Sequence, residues 1–257
     1  VASLIQQETD KWYLTDKFPC GWTRIDLQPR DLRLLRFLFE QKFLSRTQIK
    51  DHIFDGRERY TYIRLWKLRR FGFVRHILTG FVKEGLYVPT EQAHEFFRAQ
   101  FMELPLPVVW PDIRTLLHDL LVTDIRFLFE TLGFGASWTS ERVWRMGRSV
   151  RLWAPDAVIQ IGEDPFAVEV ECIQKEDRRY EDIFSRYRED PEIAACLYIT
   201  TESLVETLMK RAQHYSRIYF TTVTELFQKR EKTVFRNAQG NYMVIQENLE
   251  KQPEKAT

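Results

Sequence analysis

Long apolar runs are absent from this 257-residue chain: its uncharged stretches fall far short of the roughly 20 residues needed to cross a bilayer. No membrane span and no membrane partner is therefore expected. No positive segment followed by an apolar stretch opens the chain, so no secretory leader is expected either. Cysteine is scarce. Cys20, Cys172 and Cys196 are odd in number and widely scattered, which fits neither a disulfide framework nor a zinc module and suits a reducing cytoplasm. Net charge is almost nil, at +1, and there is no internal repeat or low-complexity tract. Apolar material is plentiful: a 44% hydrophobic content supplies the core of one large domain or two ordinary ones.

The near-zero charge hides an uneven distribution. Residues 28–88 hold 14 Lys/Arg against 6 Asp/Glu, a net of +8, so the remainder is acidic. A basic module joined to an acidic remainder points to one part that meets a polyanion and one that does something else.

Periodicity divides the chain into an N-terminal arm (1–27), a basic unit (28–102), a proline-rich connection (103–111), a second unit (112–246) and a polar tail (247–257) expected to be flexible. The arm carries Trp12, Tyr13, Phe18 and Trp22 without a readable pattern. In the basic unit, Gln28-Pro29 opens a helix with Asp31 in its first turn. Ser45 caps a second helix over 46–53, and Asp55-Gly56 turns into a third over 58–71, stopped by Gly72. Two strands, 73–78 and 85–88, follow as a hairpin, and Thr90 caps a helix over 91–101. In the second unit a long amphipathic helix covers 112–132. Strands are expected over 137–145, 150–153, 157–161, 166–172, 196–200 and 217–222, with helices over 175–189 and 202–214. Short strands alternating with helices imply an α/β layer arrangement on a mixed sheet, behind an α+β N-terminal unit.

Three helices and a hairpin, with cations on the third helix, form the pattern of a winged helix-turn-helix for double-stranded DNA. Arg57, Arg59, Tyr60 and Tyr62 sit at the start of the third helix, where side chains reach base edges. Arg64, Lys67, Arg69 and Arg70 follow along its length, where they meet phosphates. Lys83 lies at the tip of the wing, with Arg75 and His76 on its strand. The bland reading is a solvated charged surface, or a winged helix that contacts protein.

In the second unit, Asp156 heads one strand of a hairpin, while Glu169 and Glu171 lie two apart on the other, sharing a face. Buried and unpaired, each acid costs several kcal/mol, roughly. Asp156 and Glu169 are candidate ligands for Mg²⁺, which prefers carboxylate oxygens and water. The bland alternative pairs these acids with Arg142, Arg145, Arg148 and Arg151.

This Pro-Asp, hairpin, Glu-x-Glu run resembles the PD-(D/E)xK nuclease fold, with Asp156 and Glu169 at the metal-binding acids and Glu171 where the fold's lysine stands. Lys175 is the nearest substitute, and Glu141 or Glu130 could supply a further acid. In order along the chain, LQPRDLRLLRFL from Leu27, HDLLVTDI from His118, PDAVI from Pro155 and VEVE from Val168, with Tyr180 or Tyr187 beyond, resemble the replication-relaxation family of plasmids and other mobile elements. The resemblance spans about residues 27–200. It implies DNA binding in replication or transcription control and leaves catalysis open. His118, beside leucines, reads as a hydrogen-bonded packing residue.

Three functions remain on this reading. One is a DNA-binding regulator of a mobile element that requires no cofactor, its second unit non-catalytic and used for homodimerisation or partner docking. Another is a Mg²⁺-dependent endonuclease using Asp156, Glu169 and Glu171. The third is a protein-interaction adaptor.

Overall fold

One helix contributes side chains to both the core of the N-terminal unit and the core on one face of the larger sheet. The computed structural model describes residues 25–146, 148 and 153–245. The aromatic residues of the arm, Cys20, Arg151 and the tail lie outside the described residues.

The first core begins with helix α1 (Pro29–Glu40), where Asp31 accepts the backbone N–H of Gln28 at 2.7 Å and so satisfies one donor at the helix start. Its apolar stripe, Leu34, Leu35, Leu38 and Phe39, is fully buried. A short strand β1 (Leu44–Ser45) leads into α2 (Arg46–His52). Ser45 and Gln48 exchange backbone and side-chain hydrogen bonds there, a reciprocal cap. Asp55 and Gly56, both at positive φ, reverse the chain into α3 (Glu58–Arg70). Leu65 and Leu68 turn inward, and burying each contributes about 1.5–3 kcal/mol. Gly72 at φ +75 ends the helix.

Strands β2 (Val74–Ile77) and β3 (Leu86–Pro89) then form the expected hairpin. β1 pairs with the other edge of β3, giving a three-stranded antiparallel sheet in the order β1-β3-β2. Thr90 caps α4 (Glu91–Arg98), which ends before the expected residue 101.

Residues 103–111 carry neither helix nor strand. Helix α5 (Leu116–Phe129) begins later than the periodicity predicts, because Asp112 is engaged by the backbone and guanidinium of Arg114 in a turn. Its faces serve different cores. Phe127 packs with the helices of the first unit, while Val122, Ile125, Leu128 and Phe129 pack on the larger sheet.

That sheet has seven strands in the order β10-β9-β8-β7-β6-β5-β4, taken from β4 (Thr139–Ser140), β5 (Ala157–Ile161), β6 (Asp164–Glu171), β7 (Ala195–Thr200), β8 (Ile218–Thr222), β9 (Val234–Arg236) and β10 (Tyr242–Val244). It is mixed: β6, β7 and β8 run parallel and the other pairings are antiparallel. Val168, Val170, Leu197 and Ile199 face α5. The other face, with Ala167, Cys196 and Tyr198, is covered by α7 (Asp177–Glu189) and α8 (Glu202–Arg211).

One expectation of strand is corrected. The strand read over 137–145 shrinks to β4, because Ser140 accepts the Val143 N–H and turns Glu141–Trp144 into a helical turn, α6. The strand expected over 150–153 falls mostly outside the described residues. Beyond residue 222, where no element was expected, α9 (Val223–Lys229) and the β9–β10 hairpin complete the sheet. No helix among the described residues is long and apolar enough to cross a membrane.

Candidate functional site

The cations of α3 divide into an outer and an inner set. Arg57, Arg59, Tyr60 and Arg70 are exposed, and Lys83 is exposed at the hairpin tip. Tyr62 and Lys67 are half-buried. Among the described residues, Arg57, Arg59, Arg70 and Lys83 have no ion-pair partner, and the Arg70 guanidinium lies over the Trp66 ring at 5.4 Å.

Arg64 departs from the expectation. It is buried, its Nε donates to Asp31 Oδ1 at 2.7 Å, a terminal nitrogen donates to Asp31 Oδ2, and the same nitrogen donates to the Asp26 carbonyl at 2.8 Å. It is thus a cross-brace between α1 and α3, not a phosphate contact. On the wing, Arg75 donates to the Val109 carbonyl at 2.7 Å. His76 bonds the Glu84 carbonyl at 2.9 Å, and burial holds its pKa below the usual value.

The second cluster gathers at the ends of β5 and β6. Asp156 Oδ2 accepts the Val170 N–H at 2.8 Å and lies 3.2 Å from His118 Nε2. The same nitrogen is 3.1 Å from the Val170 carbonyl. His118 Nδ1 is 3.5 Å from Asp119 Oδ1. Burial opposes a charge on His118, but Asp119 and Asp156 outweigh it and push its pKa up to about 11. Glu169 is buried and accepts the Tyr187 hydroxyl at 2.5 Å. Burial, reinforced by the charge of Asp156, pushes its pKa up to about 8. Glu171 pairs with Lys175, whose backbone N–H donates to Tyr180 Oη at 2.8 Å.

Among the described residues the partners of these acids are His118, Tyr187 and Lys175. Arg142 instead donates to the Phe39 and Leu106 carbonyls, Arg145 bonds Glu141 at 3.1 Å, and Arg148 reaches Glu192 at 3.4 Å. His118 is a packing residue in that it is hydrogen-bonded, yet its partners are the acid cluster itself. Its i−1 relation to Asp119 was the signal available: an acid beside a histidine in the first turn of a helix can hold it charged.

Lys42, at φ +73, extends from the first unit into the second and places Nζ 2.8 Å from Asp119 Oδ1 and 3.7 Å from Glu141 Oε2. Together with Asp156 these groups line a narrow cleft. Glu130, considered as a further acid, instead pairs with Arg33 at 2.8 Å. Among the described residues, the group that brings three ligand-type side chains within 4.8 Å is Glu91, His94 and Glu95, on α4 and apart from the sheet acids.

Compared with protein-family models, with curated proteins and with solved structures, the chain found no match in any of the three.

Proposed function

We propose that this chain binds double-stranded DNA through a winged helix and regulates replication or transcription, of the kind the replication-relaxation resemblance implies, with a nuclease-like second unit acting as scaffold for dimerisation or partner docking. The observation that carries the reading is the outward set Arg57, Arg59, Arg70 and Lys83, without carboxylate partners among the described residues, on a helix whose Leu65 and Leu68 are anchored in the core. Such cations release counter-ions when they meet phosphate. The order α1-β1-α2-α3-β2-β3 with sheet order β1-β3-β2 supports a winged helix, since it leaves α3 outward and the β2–β3 hairpin beside it.

The run α5-β4-α6-β5-β6-α7-β7, with Asp156 just ahead of β5 and Glu169 on the paired strand β6, supports the nuclease-like ancestry. Cleavage is less well served. With no cation beside it, burial favours the protonated form of Glu169, which accepts the Tyr187 hydroxyl. Asp156 already bonds Val170 and His118.

Selection of bound duplexes from a random pool, run with and without Mg²⁺, tests the reading. Enrichment of a sequence in both arms, with intact DNA recovered, is expected. Nicking of plasmid by Mg²⁺ or Mn²⁺ that disappears in Asp156→Ala would favour the endonuclease. Failure to retain any duplex at low salt would favour the protein adaptor.

A further inference from the structure

The tip of the β2–β3 hairpin holds an aromatic side chain away from the protein. Phe81 is 61% exposed, beside Leu78 at 40%. The next residue, Val82, is buried with Phe43, Ile77, Leu86 and Leu116. Val82 N donates to Thr79 Oγ at 3.1 Å, Gly85 N donates to the Val82 carbonyl at 3.0 Å, and His76 bonds the Glu84 carbonyl. Gly85 at φ +74 brings the backbone so close to His76 that any Cβ there would collide with the ring. The turn is thus fixed from inside, and the ring stands on a rigid base.

A fixed ring loses less entropy when it inserts into a partner than one on a slack loop would. Gly80, with open space where a side chain would be, lets the backbone at the tip approach a surface closely. Lys83, two residues on, supplies a cation at the same tip. An apolar ring with a lysine beside it, on a narrow bare turn, matches a narrow groove with anionic walls, where a base step that opens offers the ring two apolar faces. The complementarity of charge with the outer face of α3 makes that partner a DNA duplex.

Resting on the DNA-binding reading above, we propose that Phe81 is a wedge: with α3 on the duplex, the hairpin tip enters a neighbouring minor groove and its ring unstacks one base step, bending the DNA. Apolar side chains inserted this way kink duplexes by about 20–90°. Pyrimidine–purine steps unstack most easily, so such a step should recur at a fixed offset from the bases read by α3.

The test uses the full chain and a duplex from the selection, end-labelled for energy transfer, with 2-aminopurine at the flexible step. Wild type should shorten the end-to-end distance and raise 2-aminopurine fluorescence. Phe81→Ala should leave the duplex straight, abolish the fluorescence rise and bind on the order of tenfold more weakly, the scale of removing one stacked ring. Phe81→Leu, still an apolar wedge, should keep most of the bend. A straight duplex with wild type, or an equal bend with Phe81→Ala, overturns the wedge. If Arg57→Ala and Lys83→Ala still weaken binding in that case, DNA recognition survives without it. Loss of all duplex binding by wild type overturns both.

Discussion

Arg64 and Asp31 lock α3 to α1 through a two-point ion pair, and Asp31 at the same time accepts the Gln28 N–H that opens α1. A buried pair broken on one side leaves the other charge without compensation, at a cost of about 3–5 kcal/mol. Arg64→Ala should therefore lower stability by that order in urea unfolding. At temperatures where it remains folded, it should bind DNA with the same dependence on salt as wild type. A reduced salt slope with unchanged stability would return Arg64 to the interface.

The outer cations should behave in the opposite way. Arg57→Ala, Arg59→Ala, Arg70→Ala and Lys83→Ala should each leave thermal unfolding unchanged. For each phosphate that a variant no longer neutralises, the slope of log affinity against log salt should shrink by about 0.9. Titrations between low and moderate salt measure it. Affinity that does not respond to salt in wild type would contradict the DNA-binding proposal.

Above about pH 4.5 the acid cluster should make stability fall as pH rises. Glu169 has a folded value of about 8 against an ordinary 4.5, and His118 about 11 against 6.5. Both bind a proton more tightly when folded, so the native state holds more protons than the unfolded chain and stability declines with pH. The contribution of Glu169 is complete below about pH 4.5 and is lost as pH rises through 8; that of His118 is complete below 6.5 and is lost through 11. Glu169→Gln mimics the protonated acid and keeps an acceptor for Tyr187. It should flatten the decline between pH 5 and 8 and be more stable than wild type above pH 8 by urea unfolding. An unchanged pH profile would mean that Glu169 is ionised when folded.

Local signals carried most of the element reading, and partners across the chain carried the corrections. The capping Ser45, the Asp55-Gly56 turn and the stop at Gly72 placed α2 and α3 within a residue or two, because each acts through its immediate neighbours. Ser140 is an equally local cap, yet the strand-like run around it masked the helical turn it starts. Arg64 could not be assigned from its helix alone: its partner is 33 residues away. Asp156 and Glu169 were legible as neighbours because the hairpin they flank was legible, its register beginning at Ala157 opposite Val168. Their hydrogen bonds with His118 and Tyr187 depend on how α5 and α7 pack on the two faces of the sheet, which no spacing encodes.

The two units are joined through a buried charge. Arg126 of α5 pairs with Glu40 of α1, both only 4% exposed, and its guanidinium lies 3.9 Å from the centre of the Phe37 ring, which in turn stacks on Phe127 at 4.8 Å. Two further nitrogens of Arg126 have no hydrogen-bond partner among the described residues, and burial pulls its pKa down. Such a pair is costly to desolvate and gives position more than stability. Arg126→Met alone leaves the buried Glu40 carboxylate held only by Arg36, at 2.6 Å, and should cost at most about 3 kcal/mol. Adding Glu40→Leu should restore most of that, because two apolar side chains then meet beside Phe37 and Phe127. Unfolding followed by tryptophan fluorescence and by circular dichroism should give coincident curves in wild type and in the double variant, since α5 contributes to both cores. In Arg126→Met the first unit should loosen at lower urea, splitting the curves. Coincident curves at wild-type stability in the single variant would show that the pair does not couple the units.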